Sequence, residues 1–313
     1  MPAATDTPTA RFRDRVRSLW QELEAIEAGK QYDNLEGGSV EQQRDRRLQL
    51  HHCANYAAVL ALLADAGPNL RLLELGCGSG ALSYALARLM PADWQLVATD
   101  YSESLLGHAR ESFRHERLRF ELLDVRQAEP GRLAEADIVF LLEVIEHLPQ
   151  HEAAALLQRL HGAMRPGGRL VLTTLDRSPF KRPFSQYAPH FVEYTFRSLS
   201  DFLSDRANSP FESFRVHRIT SARIAGESVR NENRGGYLVN RLQRWSFAMG
   251  EQYPWAGRMR ERLTSAVFRL YSLVPRSQRF DLDGYLETID FVQDNAESRD
   301  SDSFSLVAEL RKV

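Results

Sequence analysis

RLLELGCGSGALSYAL, residues 71–86, sets an apolar run against a turn with glycines at 76, 78 and 80, then resumes with apolar residues at helical spacing. That order predicts a buried strand, a turn bare of side chains, and a helix opening on the turn. A backbone without Cβ atoms lets a ligand approach closely. Gly76, Gly78 and Ala81 satisfy the G-x-G-x-x-G/A spacing, and Asp100 lies about 20 residues beyond the turn, where an acid accepts hydrogen bonds from ribose hydroxyls. Two ligand classes fit this spacing, and Glu74 separates them. A dinucleotide would bring its pyrophosphate beside that acid, with a repulsion of several kcal/mol in a partly dry cleft. A sulfonium nucleoside brings positive charge and suits the acid; a third reading leaves Glu74 as a strand-end group facing water.

Working outward, short apolar runs alternate with helical stretches: LRLLEL (70–75), WQLVATD (94–100), RLRFELLDV (117–125), ADIVFLLEV (136–144) and GRLVLTTLD (168–176). The alternation predicts βαβ units and a parallel sheet covered on both faces. SFRVHRITS (213–221) and SFSLVAELRK (303–312) read as two late strands. Upstream, Val16, Leu19, Trp20, Leu23 and Ile26 recur at helical spacing, and a second helix is expected from Gln42 to Gly67. Between the late strands, residues 226–302 read as a helical insert. Leu238, Leu242, Trp245 and Met249 share one face there, and Met259, Leu263, Val267 and Leu270 another; both stripes are taken as core packing.

LELGCGSG, VATDYSESLL, ELLDVR, FLLEVIEHL and MRPGGRLVLTT, in that order across residues 70–203, resemble the motif set of class I S-adenosylmethionine-dependent methyltransferases. The resemblance implies an α/β fold, a Rossmann-like doubly wound seven-stranded sheet whose last strand runs antiparallel. N-terminal helices and a helical insert before the last strand would complete it. The expected division is an N-terminal helical lid (1–68), a cofactor-binding core (69–225), the insert (226–302) as substrate lid or oligomer contact, and the final strand (303–313). Carried over by position, Glu74, Gly76, Gly78 and Gly80 would line the methionine end of S-adenosylmethionine. Asp100 would take the ribose hydroxyls, Tyr101 would lie against adenine, and Asp124 with the Val125 backbone would bind the adenine edge. Glu143 would border the sulfonium. Arg46 or Arg47 is expected to fork onto the methionine carboxylate, and Tyr32 to close over the site.

Methyl transfer is an in-line displacement, so the protein must align the nucleophile and, where it carries a proton, supply a base. Candidates come from the segments after the fourth and fifth strands: Glu146, His147, Asp176, Tyr187 and His190. His147 is the natural base, since histidine titrates near neutrality. Glu143, Glu146, His147 and His190 also resemble the metal-binding set of small-RNA 2′-O-methyltransferases. TTLDRSPF (173–180) lacks the expected asparagine-tyrosine pattern, and no metal is assigned on sequence grounds. The expected activity is O- or N-methylation of a small molecule. Alternatives are cyclisation of S-adenosylmethionine with release of methylthioadenosine, a metal-assisted RNA 2′-O-methyltransferase, and an inactive cofactor-binding protein. Trp245, Tyr253, Trp255 and Tyr271 would line an aromatic acceptor pocket.

Composition sets the remaining bounds. The 313 residues are 43% hydrophobic and 26% charged, with a formal net charge of −2, which gives no electrostatic reason to expect nucleic acid. Two cysteines, Cys53 and Cys77, make no disulfide framework, so a reducing compartment is expected. No signal-peptide or membrane-spanning apolar run is read, and the expected location is the cytoplasm. The expected partners are a small-molecule substrate and a second copy bound through the insert, with no membrane.

Overall fold

The computed structural model describes residues 7–28, 46–126, 130–252, 280–293 and 300–313. Its centre is a sheet of β1 (Arg71–Leu75), β2 (Gln95–Asp100), β3 (Leu118–Leu122), β4 (Ile138–Leu142), β5 (Arg169–Leu175), β6 (Ser213–Thr220), β7 (Asp290–Val292) and β8 (Ser303–Arg311). The spatial order is β3-β2-β1-β4-β5-β8-β6-β7. The first five strands pair in parallel, and β8 runs antiparallel between β5 and β6. Chain order departs in opposite directions from β1 and β4, which puts a crevice at their carboxyl ends, the place where open α/β sheets bind ligands.

The central parallel strands β1, β4 and β5 read as nearly unbroken apolar runs because both faces are covered, while the edge strand β3 is partly exposed. Along β4, Ile138, Phe140 and Leu142 enter one core, while Val139 and Leu141 enter the other. The first core is closed by α1 (Pro8–Ala28), α2 (Arg46–Leu62) and α3 (Ala81–Leu89), through residues such as Val16, Trp20, Ala57 and Leu86. The second is closed by α6 (Gln150–Ala163) and α7 (Phe196–Ser204), through Leu156, Leu160, Leu199 and Phe202. The other helices of the core are α4 (Glu103–Ser112), which starts on a Ser102 side-chain cap, and the short α5 (Pro130–Ala134).

Three expectations change. The described sheet has eight strands, not seven: β7 pairs with β6 at the sheet edge, inside the segment read as a purely helical insert. Three residues are too few for alternation to register. Second, α8 (Ala222–Asn231) runs across the division placed at 225/226, then passes through one wide turn, Glu232–Gly236, into α9 (Tyr237–Gln252). Gly235, at φ 118°, makes that bend. Third, the α9 stripe faces out: Leu238, Leu242 and Trp245 are exposed, Trp245 by 63%. Helical periodicity tells which residues share a face, not which face meets the body. Here α9 is fastened by polar groups instead: Arg244 Nη1 donates to the His190 carbonyl at 2.9 Å, and the Arg182 guanidinium lies 3.8 Å over the Tyr237 ring. The side chain of Met249, the second stripe, and Tyr253, Trp255 and Tyr271 lie outside the described residues. The short α10 (Leu282–Leu286) completes the insert, and no described helix is long and apolar enough to cross a membrane.

Candidate active site

The glycine turn after β1 is held by the neighbouring strand. Gly76 and Cys77 both donate their N–H to the Thr99 carbonyl at 2.8 Å, and the Thr99 hydroxyl donates back to the Glu74 carbonyl at 2.8 Å. Glycine is required at both ends of the turn. Gly76 has φ 90°, and a Cβ there would sit 2.6 Å from Val144 Cγ2; Gly80 has φ 76°, and a Cβ would sit 2.5 Å from the Phe120 ring. At Gly78 a Cβ would meet no protein atom within 4 Å, so this is the side on which the turn lies open.

Asp100, at the end of β2, is buried and reaches into the turn: Oδ2 accepts from Gly78 N–H at 2.8 Å and Oδ1 from Ser102 N–H at 3.0 Å. Each oxygen keeps a lone pair for a further donor such as a ribose hydroxyl. Tyr101 follows as an exposed ring, a platform for a flat heterocycle. Asp124 is turned onto its own chain: it accepts from Arg126 N–H, Nε and Nη2 at 2.9, 3.0 and 2.8 Å, and this pairing lowers its pKa. The Val125 carbonyl accepts from Arg159 Nη2 at 3.1 Å.

Glu74 does not face water. It is fully buried, one oxygen accepts a hydrogen bond from the Tyr56 hydroxyl, and Oε2 is buried without a hydrogen-bond partner. Burial pushes its carboxyl up to about 7, and the nearby Asp100 charge adds to the rise. A buried acid poised at neutrality ionises readily when a cation arrives beside it.

Glu143 ends β4 in a left-handed conformation, φ 57°. Its Oε1 accepts from Asn55 Nδ2 at 3.0 Å and from the Thr173 hydroxyl at 3.1 Å, while Oε2 lies 3.3 Å from His51 Nε2. Burial pushes this carboxyl up, but His51, His52 and Thr173 outweigh it and bring it down to about 2. Helix α2 therefore supplies three side chains to the two acids of the crevice. Asn55, Tyr56 and His51 went unread in the sequence, although polar residues inside an otherwise buried helix were a visible signal. Arg47, on the same helix, meets Glu227 Oε2 at 3.1 Å, and Arg46 pairs with Glu24. Tyr32 lies outside the described residues.

The segments after β4 and β5 bring Glu146, His147 and His190 together: one ligand atom from each lies within 4.8 Å of the others. His147 Nδ1 is 3.1 Å from the Pro189 carbonyl, and its ring meets that of His190 edge-on at 5.0 Å between centroids. His190 Nδ1 is 2.7 Å from Glu193 Oε1, and the Tyr187 ring packs against it at 4.9 Å. Burial and the His190 charge lower the pKa of His147. Glu146 is buried, and burial followed by the charge of Glu143 raises its pKa well above the carboxylate range. Asp176 is used locally: Oδ1 accepts from Ser178 N–H at 2.8 Å and from its hydroxyl at 2.5 Å, and Oδ2 lies 3.9 Å from Arg218 Nε. Sequence reasoning missed Glu193 and Arg177. Arg177 is buried between Glu193 (3.2 Å) and Glu232 (2.6 Å), joining the His190 loop to the insert.

Residues 73–170 match the family described as the methyltransferase domain. The ubiquinone biosynthesis O-methyltransferase of Xanthomonas campestris pv. campestris (strain B100) is 34% identical over 117 residues, 36% of this chain and 46% of that protein. The carboxy-S-adenosyl-L-methionine synthase of Geobacter metallireducens is 28% identical over 152 residues, 48% of this chain and 61% of that one. The chain thus spans about half the length of the curated relatives it matches. Among solved structures, phosphoethanolamine N-methyltransferase 2 of Haemonchus contortus aligns over 100% of this chain and 61% of its own, with 15% identity and a TM-score of 0.47.

Proposed function

With residues 73–170 forming a methyltransferase domain of the class I S-adenosylmethionine-dependent kind, we propose that the chain transfers the methyl group of that cofactor to a hydroxyl or amine of a small molecule. The observation that carries the reading is the pairing of Asp100 with a glycine turn that is open at Gly78 and backed by the buried, half-partnered Glu74. An ionised Glu74 repels a pyrophosphate and attracts a sulfonium or an ammonium.

In this reading Asp100 holds the ribose, Tyr101 covers adenine, and the N–H groups and bare Cα atoms of residues 76–80 admit the methionine arm. The cofactor supplies an activated methyl group. The chain supplies alignment and proton management. Glu143, fixed by Asn55, Thr173 and His51, presents negative charge at the strand end beneath the reacting centre. His147 and His190 border the acceptor side, with the Tyr187 ring and the exposed Phe191 as apolar walls for an aromatic acceptor.

The test is to incubate the protein with S-adenosylmethionine and panels of phenols, catechols and amines, and to follow both sulfur products. Acceptor-dependent S-adenosylhomocysteine supports methyl transfer. Methylthioadenosine formed without any acceptor points instead to cyclisation of the cofactor, and binding of NAD without binding of S-adenosylhomocysteine ends the reading.

A further inference from the structure

Residues 233–250 hold Arg234, Arg241 and Arg244 and no acid; residues 181–191 hold Lys181 and Arg182 and no acid. In a chain whose formal net charge is −2, five cations without a carboxylate are a local excess of one sign. The fold brings the two segments together. Arg182 lies 3.8 Å over the Tyr237 ring, Arg244 lies 4.9 Å over the Phe184 ring, and Arg244 Nη1 donates to the His190 carbonyl at 2.9 Å. Lys181, Arg182, Arg234 and Arg241 are exposed and make no ion pair among the described residues.

The same surface is apolar to an unusual degree. Eight large apolar side chains are exposed among the described residues, and four of them, Phe191, Leu238, Leu242 and Trp245, belong to these two segments. Leu238, Leu242 and Trp245 fall at i, i+4 and i+7, so they form one stripe along α9 with Arg241 beside it. A solvated helix face is ordinarily polar, and an exposed apolar stripe rimmed by charge marks a contact site.

Chemistry decides among the occupants. Nucleic acid would use the arginines, but its phosphates and sugars give Leu238 and Leu242 no partner. A second copy would bury the stripe, but a two-fold contact would draw the arginines of both copies together with no acid to offset them. An anionic bilayer uses both. Leucine enters the headgroup boundary, tryptophan sits at the interfacial level, and the long basic side chains reach the lipid phosphates.

We propose that α9 docks flat on an anionic lipid surface through Leu238, Leu242 and Trp245, with Arg241 and the exposed cations around them on the headgroups. The expectation of no membrane came from the lack of an apolar run long enough to span one; a helix lying in the interface needs no such run. Because Arg244 fastens α9 to the His190 loop, docking holds the proposed acceptor side and Phe191 close to the lipid. For its use, though not for its binding, this surface rests on the methyl-transfer reading above: the acceptor is then an amphipathic phenol or amine taken from the bilayer.

The experiment is sedimentation of the full chain with sucrose-loaded vesicles of phosphatidylcholine alone and of an equimolar mixture with phosphatidylglycerol. S-adenosylhomocysteine binding is measured on the same preparations. Binding to the mixed vesicles should be at least about tenfold tighter than to the neutral ones and should weaken as salt rises. Leu242→Glu and Trp245→Glu should each weaken it more than about tenfold, with circular dichroism and S-adenosylhomocysteine binding unchanged. Val313→Glu, at an exposed apolar residue in neither segment, should bind like the parent. Absence of binding to the mixed vesicles, or parent-like binding by the Leu242→Glu/Trp245→Glu double variant, overturns the proposal. A salt-sensitive complex with polyuridylate and none with vesicles puts nucleic acid in place of lipid. A dimer that the double variant dissociates, again without vesicle binding, puts a second copy there. If the parent sediments with mixed vesicles but fails to bind S-adenosylhomocysteine, the docking surface stands and the methyl-transfer reading is lost.

Discussion

Glu74 is the residue on which chemistry and stability meet. Its folded-state carboxyl, pushed up to about 7 by burial from an ordinary 4.5, keeps a proton that the unfolded chain has already released across that window. The folded state therefore loses stability as pH rises from about 4.5 to about 7, by about 3 kcal/mol in total, and the loss persists at higher pH. Glu74→Gln removes the titration while leaving Tyr56 an acceptor. In urea unfolding the variant should gain on the parent between pH 5 and pH 8, by up to that amount; a pH-independent difference would remove Glu74 as the cause. The same variant should bind S-adenosylmethionine more weakly, because no charge is left to meet the sulfonium. Two further single-residue outcomes follow from the turn. Asp100→Ala should weaken cofactor binding by about 1–3 kcal/mol in calorimetry. Gly80→Ala, at φ 76° and against the Phe120 ring, should destabilise the fold by about 1–3 kcal/mol in denaturant.

At the scale of elements, legibility followed burial. Of the five parallel strands, β1, β4 and β5 were plain in the sequence because both faces are covered along most of their length, while the edge strand β3, LRFEL, was read from its place in the alternation; β8 was equally plain, being buried from Ser303 to Leu310. The β7 strand was not, since three half-buried residues at an edge leave no pattern. In the insert, Leu238, Leu242 and Trp245 gave a true helix and a false inward face, because what docks that helix is a set of arginines whose partners are distant in sequence. The site divided along the same line. Glu74, Asp100 and the glycines sit in one contiguous βα unit and could be read by spacing; Asn55, Tyr56, Glu193 and Arg177 reach the crevice only through tertiary packing. Arg177 shows what such a residue is worth. Buried between Glu193 and Glu232, with its Nη2 also donating to the Arg182 carbonyl at 2.7 Å, it neutralises two carboxylates of separate elements. Arg177→Ala takes this cation from Glu232 and leaves Glu193 with only Ser185 and His190, and should cost about 3–5 kcal/mol in guanidinium unfolding. A loss below 1 kcal/mol would mean that the insert is held to the core by other means.

For the molecule as a whole, the crevice depends on a helix to which no described side chain is assigned a role at the cofactor. Helix α1 buries Phe12, Val16, Leu19 and Trp20 in the first core and packs on α2 and α3. It is also tied to the far end of the chain: Thr9 donates to Asp290 Oδ1 at 2.8 Å, Arg13 Nε to the Ile289 carbonyl at 2.8 Å, and Arg17 pairs with Asp283 at 2.6 Å. The exposed pairs among these contribute little; the four buried apolar side chains, at about 1.5–3 kcal/mol each, carry the attachment. What α1 covers is α2, the element that sets Tyr56 on Glu74 and places Asn55 and His51 on Glu143. Deleting residues 1–28 should therefore abolish cofactor binding without removing any group proposed to touch the cofactor. The sheet strands, locked by their own pairing and by α6 and α7 on the opposite face, should persist as a loosened core. Calorimetry with S-adenosylhomocysteine, together with thermal unfolding by circular dichroism, checks this: the expected result is no measurable binding and a transition that is broadened and lowered. A truncated chain that binds with the parent's affinity would show that α2 holds the two acids in place without its cover, and that the N-terminal helix serves something other than the site.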